Sequence, residues 1–366
     1  MRSKVAVFKT SPHTVLEDYK RLMEAAEFHH FLPKDIDVLL KVNISWHHYY
    51  PSCSTQPWQY EGVVKTLLDY GFKPERLIPA HNKTVVVSAK RGIVNNGYLG
   101  VDTKYGLKPV HLYEPPVKWV VYQPKKFKFR VLQNIFPDGV KIPEFFIGKS
   151  IVQLPTVKTH VFTTITGAMK NAFGGLLSER RHWTHGVIHE TLVDLLNIQK
   201  EIHAGLFAVM DGTICGDGAG PRAMRPCIKN YILASNDQVA IDAVSAKMQG
   251  FDPLSLGFIR IAHEEGLGIG DPRDIQIVGE DISNVNFRFC QEETLASRGQ
   301  KAIYWGPLRP FENILLRSPI VPWSYAASRF YYDFLWFNFV GKKRVNEFLK
   351  SGWGALFKTY IEQQGL

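Results

Sequence analysis

An apolar strand and a cationic segment meet in Ser150-Ile-Val-Gln-Leu-Pro-Thr-Val-Lys158-Thr-His160. The first five residues predict a buried strand, and polar groups that follow such a strand are typical of a ligand-binding edge in α/β proteins. Between Glu144 and Glu179 the chain contains no Asp or Glu. Because a buried cation needs a negative partner or loses its proton, we expect the counter-charge to come from elsewhere in the fold or from a bound anion, cofactor or substrate.

Strands and helices alternate on both sides of this segment, which is the pattern of an α/β fold with largely parallel sheets flanked by helices. The clearest predicted strands and helices lie at residues 5–8, 14–30, 37–43, 58–70, 187–202, 205–210, 228–234 and 237–249. We expect two lobes, an N-terminal α/β lobe at 1–145 and a C-terminal α/β lobe at 146–300, with a cleft between them. Residues 301–366 are expected to form a helical aromatic and basic tail.

The composition is that of a globular, well-packed chain of 366 residues, with 45% hydrophobic and 21% charged residues. Its four cysteines are scattered and form no Cys-x-x-Cys pair, so the chain itself encodes neither a zinc ribbon nor a cysteine-ligated iron–sulfur cluster. The cysteine pattern fits a reducing compartment, and the first residues lack the apolar region of a signal peptide, so we expect a cytoplasmic protein. The net charge is +10, but no nucleic-acid-binding motif is present, and nucleic acid is not an expected partner.

Lysine and histidine side chains of the cationic segment are the first candidates for chemistry. Lys158 and Lys170 can hold a phosphate or carboxylate, and a desolvated lysine can also act as a nucleophile or base. Histidine exchanges protons near neutral pH, so we expect His160 to be the acid or base. Upstream, Lys41 and Asn43 end a predicted strand and are expected to bind the same ligand. The alternative, that acids elsewhere in the fold pair with these cations, stays open.

His182 and His185 follow the cationic segment, and a helix start near them would bring His185 and His189 to one face at a spacing that can chelate a metal. We expect His182 and His185 to be metal ligands or bases. The glutamate of a zinc-protease His-Glu-x-x-His motif is not in place, which disfavours a protease. A histidine-rich helix start on the surface is the alternative.

Four glycines lie between Asp211 and Pro221, directly after a predicted buried strand. A glycine-rich loop lets the backbone come close to a ligand, so we expect Gly218 and Gly220 to contact it and Asp211 and Asp217 to orient the site. The pattern is neither a dinucleotide-binding motif nor a P-loop. A tight turn without function is the alternative.

Aromatic residues crowd the tail at residues 320–341, and a basic cluster follows at 342–344. A proline and two charged residues interrupt the apolar run, so a membrane-spanning helix is not expected. Aromatic residues beside a basic cluster suit the membrane interface, which predicts peripheral membrane contact through 320–360. The alternative is a helix packed on the core or on a dimer partner.

Several motifs occur in one order over about residues 36–280: Leu39-Leu-Lys41-Val-Asn43, Val152–His160, Thr166–Gly174, Asp211–Pro221, Asp237–Asp242 and Gly266-Leu-Gly268. Together they resemble the domain-of-unknown-function family 362, an uncharacterised family associated with iron–sulfur-centre proteins. The usual Lys-Pro-Asn of the family is Lys41-Val42-Asn43 here, and the ferredoxin-like cysteine module of many members is absent. The resemblance therefore implies that any iron–sulfur cluster belongs to a partner protein.

The order His160, Lys170, His185 also resembles, more faintly, the spacing with which nickel-pincer lactate racemase holds its cofactor. In that family the lysine carries the pincer nucleotide and a histidine ligates the metal. The resemblance implies a tether at Lys170 and a metal ligand at His185, and it concerns the geometry of the site rather than its activity.

The leading hypothesis is an enzyme that binds an anionic cofactor or substrate and carries out redox or proton-transfer chemistry, with or without a metal. The competing hypothesis is a non-catalytic, membrane-peripheral binding or scaffold protein. The cofactor stays open between a divalent metal and a phosphate-bearing group. The residues expected to hold the ligand are Lys41, Asn43, Lys158, Lys170, Asn171, Gly218 and Gly220, those expected to act in catalysis are His160, Lys170, Asp211 and Asp217, and the expected metal ligands are His182 and His185.

Overall fold

The computed structural model describes residues 3–84, 86–317 and 326–365. Its centre is a ten-stranded sheet with the order β12-β1-β11-β10-β7-β2-β3-β4, and β8 and β9 continue it beside β10. The strands are β1 (Lys4–Lys9), β2 (Val38–Val42), β3 (Leu77–His81), β4 (Val110–His111), β5 (Trp119–Val121), β6 (Lys141–Pro143), β7 (Ser150–Leu154), β8 (Thr156–His160), β9 (Thr164–Ile165), β10 (Leu206–Ala219), β11 (Ala223–Ser235) and β12 (Gln276–Gly279).

Helices cover both faces of the sheet and form the C-terminal region. The α-helices are α1 (Val15–Ala25), α2 (Pro57–Asp69), α3 (Ala89–Asn95), α4 (Tyr98–Tyr105), α5 (Leu132–Ile135), α6 (Ala168–Leu176), α7 (Ile188–Ile202), α8 (Gln238–Gln249), α9 (Gly257–Glu264), α10 (Leu295–Tyr304), α11 (Glu312–Arg317), α12 (Lys342–Phe348) and α13 (Gly352–Glu362). A 3₁₀ segment at Glu179–Val187 precedes α7, and a π-helix at Phe330–Gly341 precedes α12.

Most strand pairs of the sheet are parallel, and the antiparallel pairs are β1 with β11, β10 with β11, and β8 with β9. The predicted α/β class, with a largely parallel sheet flanked by helices and a C-terminal helical region, is confirmed. The sheet draws strands from both sides of residue 145, since β2 pairs with β7 and β1 pairs with β11. The two predicted lobes therefore share one sheet.

Two hydrophobic cores lie on opposite faces of this sheet. One contains apolar residues of α6, α7, α8 and α9, such as Met169, Leu192 and Phe258. The other contains α1 and α2 together with the last helix, where Trp353 packs on Trp58 with ring centroids 4.9 Å apart. The end of the tail is thus part of the folded body. Residues 318–325, which hold the start of the predicted aromatic segment, lie outside the described residues.

The glycine-rich segment after Asp211 forms a β-hairpin and not the predicted loop. β10 runs through it to Ala219 and pairs with β11, with a register shift between Gly212 and Ile214. A Cβ on Gly220 would lie 1.8 Å from the carbonyl oxygen of Thr159. Glycine therefore lets the hairpin pack directly against β8.

Candidate functional site

A cavity of about 700 Å³ opens beyond the carboxyl ends of three strands. Lys41 lies at the end of β2, His81 is the last residue of β3, and His160 is the last residue of β8, and all three line the cavity. The carboxyl edge of a parallel sheet is the usual place for a ligand in α/β proteins. The cationic segment thus reaches the position that its sequence predicts.

Four lysine and arginine side chains line this cavity, and three of them are almost fully buried. Lys41 is 5% exposed, Lys170 is 9% exposed and Arg181 is 7% exposed. Within the described residues none of the three forms an ion pair with a carboxylate. The ammonium group of Lys170 lies 4.5 Å from the centre of the Phe173 ring, and Arg181 donates to the carbonyl oxygens of neighbouring backbone. The cavity therefore holds an excess of buried positive charge.

Burial and the repulsion between like charges lower the pKa values of these cationic groups. Burial, followed by the charge of Arg181, lowers the pKa of Lys41 to about 7. The same two causes in the same order, with a further contribution from Lys158, lower the pKa of Lys170 to about 7. Burial also lowers the pKa of Arg181 to about 10. Since desolvation and like charge both disfavour the cation, an anion in the cavity would restore the proton of each lysine.

Several residues that line the cavity have a buried, uncharged polar atom without a hydrogen-bond partner among the described residues. The atoms are Nδ2 of Asn43, both ring nitrogens of His81 and Oγ1 of Thr166. A buried polar atom without a partner is rare and destabilising. The residues around the cavity thus leave four hydrogen-bonding atoms unsatisfied.

Helix α6 presents Lys170 and Asn171 to the cavity, and Asp242 fixes its start. The Asp242 carboxylate accepts from the backbone N–H groups of Ala168 and Met169 at 2.6 and 3.0 Å. A Cβ on Gly167 would lie 2.3 Å from that carboxylate, so the residue before α6 has to be glycine. Asp242 therefore acts as a cap for α6 that is supplied by α8.

Asn171 and Lys158 form hydrogen bonds that connect the elements around the cavity. Asn171 lines it, but its amide donates to the carbonyl oxygen of Lys41 at 2.7 Å and to Gln153 Oε1 at 2.8 Å, which ties α6 to the sheet. Lys158 is fully buried and does not line the cavity. Its ammonium donates to Ser45 Oγ at 3.0 Å and to the carbonyl oxygen of Cys53. Burial lowers the pKa of Lys158 to about 8.

The three predicted histidines all line the cavity. His160 Nδ1 accepts from the backbone N–H of Phe162 at 3.1 Å, which leaves the proton of the neutral ring on Nε2. His182 and His185 each place Nδ1 against a backbone carbonyl oxygen, at 3.0 and 2.8 Å. Burial and then Lys170 lower the pKa of His185 to about 3, so its ring is neutral. Metal ligation by His182 and His185 stays a prediction.

The two predicted aspartates lie away from the cavity. Asp211 is fully buried among α1, α2 and β10, where it accepts from Tyr19, Trp58 and Thr213. Asp217 pairs with Arg225 at 2.9 Å near the end of the hairpin. Of the two predicted glycines, Gly220 lines the cavity and Gly218 lies beside Glu292.

Several lining residues are absent from the sequence-based site. Arg181, His81 and Arg222 line the cavity, and Arg222 lies over the ring of Tyr332 at 5.2 Å. Tyr331 and Tyr332 belong to the π-helix of the tail, which borders the cavity. The position of His81 at the end of an apolar strand is a signal that the sequence does contain. No motif or spacing in the sequence predicts that tail residues line the cavity.

Residues 38–247 match the family described as Domain of unknown function (DUF362). The chain belongs to this family. The match begins at β2 and ends in α8, so it includes the cationic segment, α6 and the hairpin that surround the cavity. The predicted resemblance to family 362 is thereby confirmed, whereas the resemblance to nickel-pincer lactate racemase stays a prediction.

A curated relative in the comparison is the thylakoid-associated protein sll1697 of Synechocystis sp. (strain ATCC 27184 / PCC 6803 / Kazusa). It is 27% identical over 122 residues, which cover 32% of this chain and 37% of the relative. The matched region therefore spans little more than a third of the length of that protein. No solved structure matches this DUF362 chain.

The cysteines of this family member do not assemble around a common point. Cys215 and Cys227 face each other across the hairpin, Cys53 is buried near β8, and Cys290 is exposed. Among the described residues, the one group of three metal-binding side chains whose ligand atoms lie within 4.8 Å of one another contains no cysteine. The helices in the described part of the chain include none with the length and apolar character needed to cross a membrane.

Proposed function

We propose that this protein binds a small organic anion in the cavity at the carboxyl edge of the sheet. The observation that carries the proposal is the presence of three buried cations, Lys41, Lys170 and Arg181, that have no carboxylate partner within the described residues. Buried charges are normally paired. A phosphate or carboxylate group would pair with all three.

The rest of the cavity wall suggests the character of the ligand. Apolar and aromatic side chains also line the cavity, among them Val87, Phe162, Ile303 and Tyr331. A volume of about 700 Å³ falls in the range of small-molecule sites. We infer a ligand with an anionic group on the lysine side and an apolar or aromatic body against the tail.

Proton transfer is the reaction type that the residues favour. Lys170, whose pKa is about 7 in the free protein, takes up its proton as the anion binds and can then donate that proton to the bound molecule. His160 presents Nε2–H as a donor. The imidazoles of His182 and His185 would serve a metal-assisted variant of this chemistry.

The affinity for an anion should fall as pH rises through the pKa of the lysines. An aromatic sulfonate dye, anilinonaphthalenesulfonate, stays anionic throughout, so its pH dependence reports on the protein. A bound anion raises the pKa of Lys41 and Lys170, and binding therefore takes up protons. We expect the Kd, measured by dye fluorescence from about pH 6 to about pH 9, to rise above pH 7 by up to about tenfold per pH unit for each lysine that takes up a proton. A constant Kd would contradict the proposal.

A second candidate function, peripheral binding to a membrane, is favoured by the outer face of the tail. Phe330, Phe334 and Phe339 are 57%, 58% and 77% exposed. Lys342 and Lys343 follow directly and are also exposed. Exposed aromatic residues beside lysines match the membrane interface, and the Synechocystis relative is named for its association with thylakoids.

Vesicle sedimentation distinguishes membrane binding by the tail from a tail that only packs on the body. We expect the full chain to sediment with vesicles that contain anionic lipid, less so in high salt, because each lysine near the surface contributes about 1 kcal/mol. The triple variant F330S/F334S/F339S should lose this binding and stay folded, since the inner face of the tail is unchanged. Equal sedimentation of the two proteins, or none by the wild type, would rule the membrane role out.

A further inference from the structure

A second polar cluster, separate from the anion cavity, lies where the tail meets the body. His47 and His48 are neighbours in the loop after β2, and Asp333 comes from the π-helix of the tail. One ligand atom of each residue lies within 4.8 Å of those of the other two. Two imidazoles and a carboxylate are the donor set that suits Zn²⁺ and related divalent transition metals.

The distance between His47 and Asp333 is longer than a hydrogen bond and close to the spacing of two metal ligands. His47 Nε2 lies 3.5 Å from Asp333 Oδ2. An N–H···O hydrogen bond normally measures about 2.7–3.2 Å. Two ligands at about 2.1 Å from a tetrahedral ion are separated by about 3.4 Å. The separation of His47 Nε2 and Asp333 Oδ2 is thus close to that of two ligands of one ion.

Neighbouring side chains orient the donors as an outer ligand shell does. Trp46 Nε1 donates to Asp333 Oδ1 at 2.6 Å, which leaves Oδ2 directed at His47. The ring of His48 stacks on Phe337 with centroids 4.5 Å apart and an interplanar angle of 15°. Such contacts fix the direction of ligand atoms.

His47 also lacks hydrogen bonds of its own. Its Nδ1 is buried and has no partner among the described residues, and Nε2 has only the long contact to Asp333. A buried imidazole without a hydrogen bond destabilises the fold. A metal bond at Nε2 would give that nitrogen the partner that the long contact to Asp333 does not provide.

We propose that His47, His48 and Asp333 bind one divalent transition metal ion that fastens the tail helix onto the loop after β2. Tyr331 and Tyr332, which flank the cavity, belong to the same helix as Asp333. The metal therefore holds the wall of the cavity that the tail supplies. This site differs from the expected metal ligands His182 and His185, and its existence does not depend on the proposed anion.

The test is titration of the metal-free full chain with Co²⁺, followed by its visible d–d absorption, and competition with Zn²⁺. We expect one Co²⁺ per chain with the intense bands of a tetrahedral site. The variants H47A/H48A and D333N should each weaken binding by at least about 10- to 100-fold. D333N keeps an acceptor for Trp46, so it tests the site even if the double histidine variant fails to fold.

The exposed pair His29 and His30 is the matched control. Its rings are also adjacent, with centroids 4.1 Å apart compared with 4.5 Å for His47 and His48. The variant H29A/H30A should leave Co²⁺ binding unchanged. The proposal is overturned if the wild type binds no Co²⁺, or if H47A/H48A and D333N bind it as the wild type does.

Discussion

Replacement of Lys170 by methionine should abolish most anion binding and leave the fold intact. Methionine has a similar length and packs well in apolar surroundings. A hydrogen bond to a charged group contributes about 1.5–3 kcal/mol, so the Kd for anilinonaphthalenesulfonate should rise by about 10- to 150-fold. The measurement is dye binding at about pH 6, where the lysine of the wild type carries its charge.

The effect on stability should be small or favourable, and this separates a ligand-binding lysine from a structural one. The lowered pKa of Lys170 means that the folded state opposes its charge, so loss of the ammonium group removes an unfavourable term. The control is K65M, which removes an exposed lysine paired with Asp69 at 2.7 Å. K65M should change neither the Kd for the dye nor the free energy of unfolding appreciably. A large drop in the free energy of unfolding of K170M, with dye affinity unchanged, would show that Lys170 is structural.

Replacement of Asp211 by alanine should have the opposite pattern, a large loss of stability with little direct effect on binding. The Asp211 carboxylate accepts four hydrogen bonds, from the Tyr19 hydroxyl, the Trp58 indole, and the backbone and hydroxyl of Thr213. Alanine would leave buried donors without acceptors. We expect the free energy of unfolding, measured in urea, to fall by about 3–5 kcal/mol.

Asp217 on the same strand is the matched control for Asp211. Its partner Arg225 has a side chain that is 48% exposed, and the pair lies near the end of the hairpin. D217A should therefore lower the free energy of unfolding by less than about 1 kcal/mol. If D211A were as stable as D217A but no longer bound the dye, Asp211 would belong to the site, as the sequence predicts.

The cationic part of the site can be predicted from sequence because the signal is local. A segment without acids follows an apolar strand, and parallel strands bring their carboxyl ends to one edge. Lys41, His160 and Lys170 therefore reach one cavity. Arg181 lies just beyond the segment, and His81 lies on another strand, so local spacing does not link either of them to it.

Asp211 shows that the position of a residue along a predicted strand does not determine whether its side chain reaches the ligand site. The sequence places Asp211 after a buried strand, where a ligand edge is expected. The strand continues to Ala219, and the Asp211 side chain points toward α1 and α2. The face that a strand residue takes depends on register and bulges, and here the register shifts directly after Gly212.

The tail and the metal cluster depend on contacts between residues far apart in the chain. Asp333 meets His47 across more than 280 positions, and no period or motif links them. The aromatic tail residues divide between two environments. Trp336 and Phe337 pack on the body, whereas Phe330 and Phe339 are exposed. An aromatic composition is consistent with a tail that packs on the body and with one that faces a membrane. It does not show which aromatic side chains are packed and which are exposed.

Proton uptake on anion binding tests the central claim most directly. Isothermal titration of the full chain with anilinonaphthalenesulfonate near pH 8, in two buffers with different enthalpies of ionisation, measures the protons that accompany binding. Because Lys41 and Lys170 have pKa values of about 7 in the free protein, we predict uptake of about one proton or more per dye, and less in K170M. Identical heats in the two buffers, or no binding to the wild type at any pH, would contradict the claim that buried lysines hold an anion in this cavity.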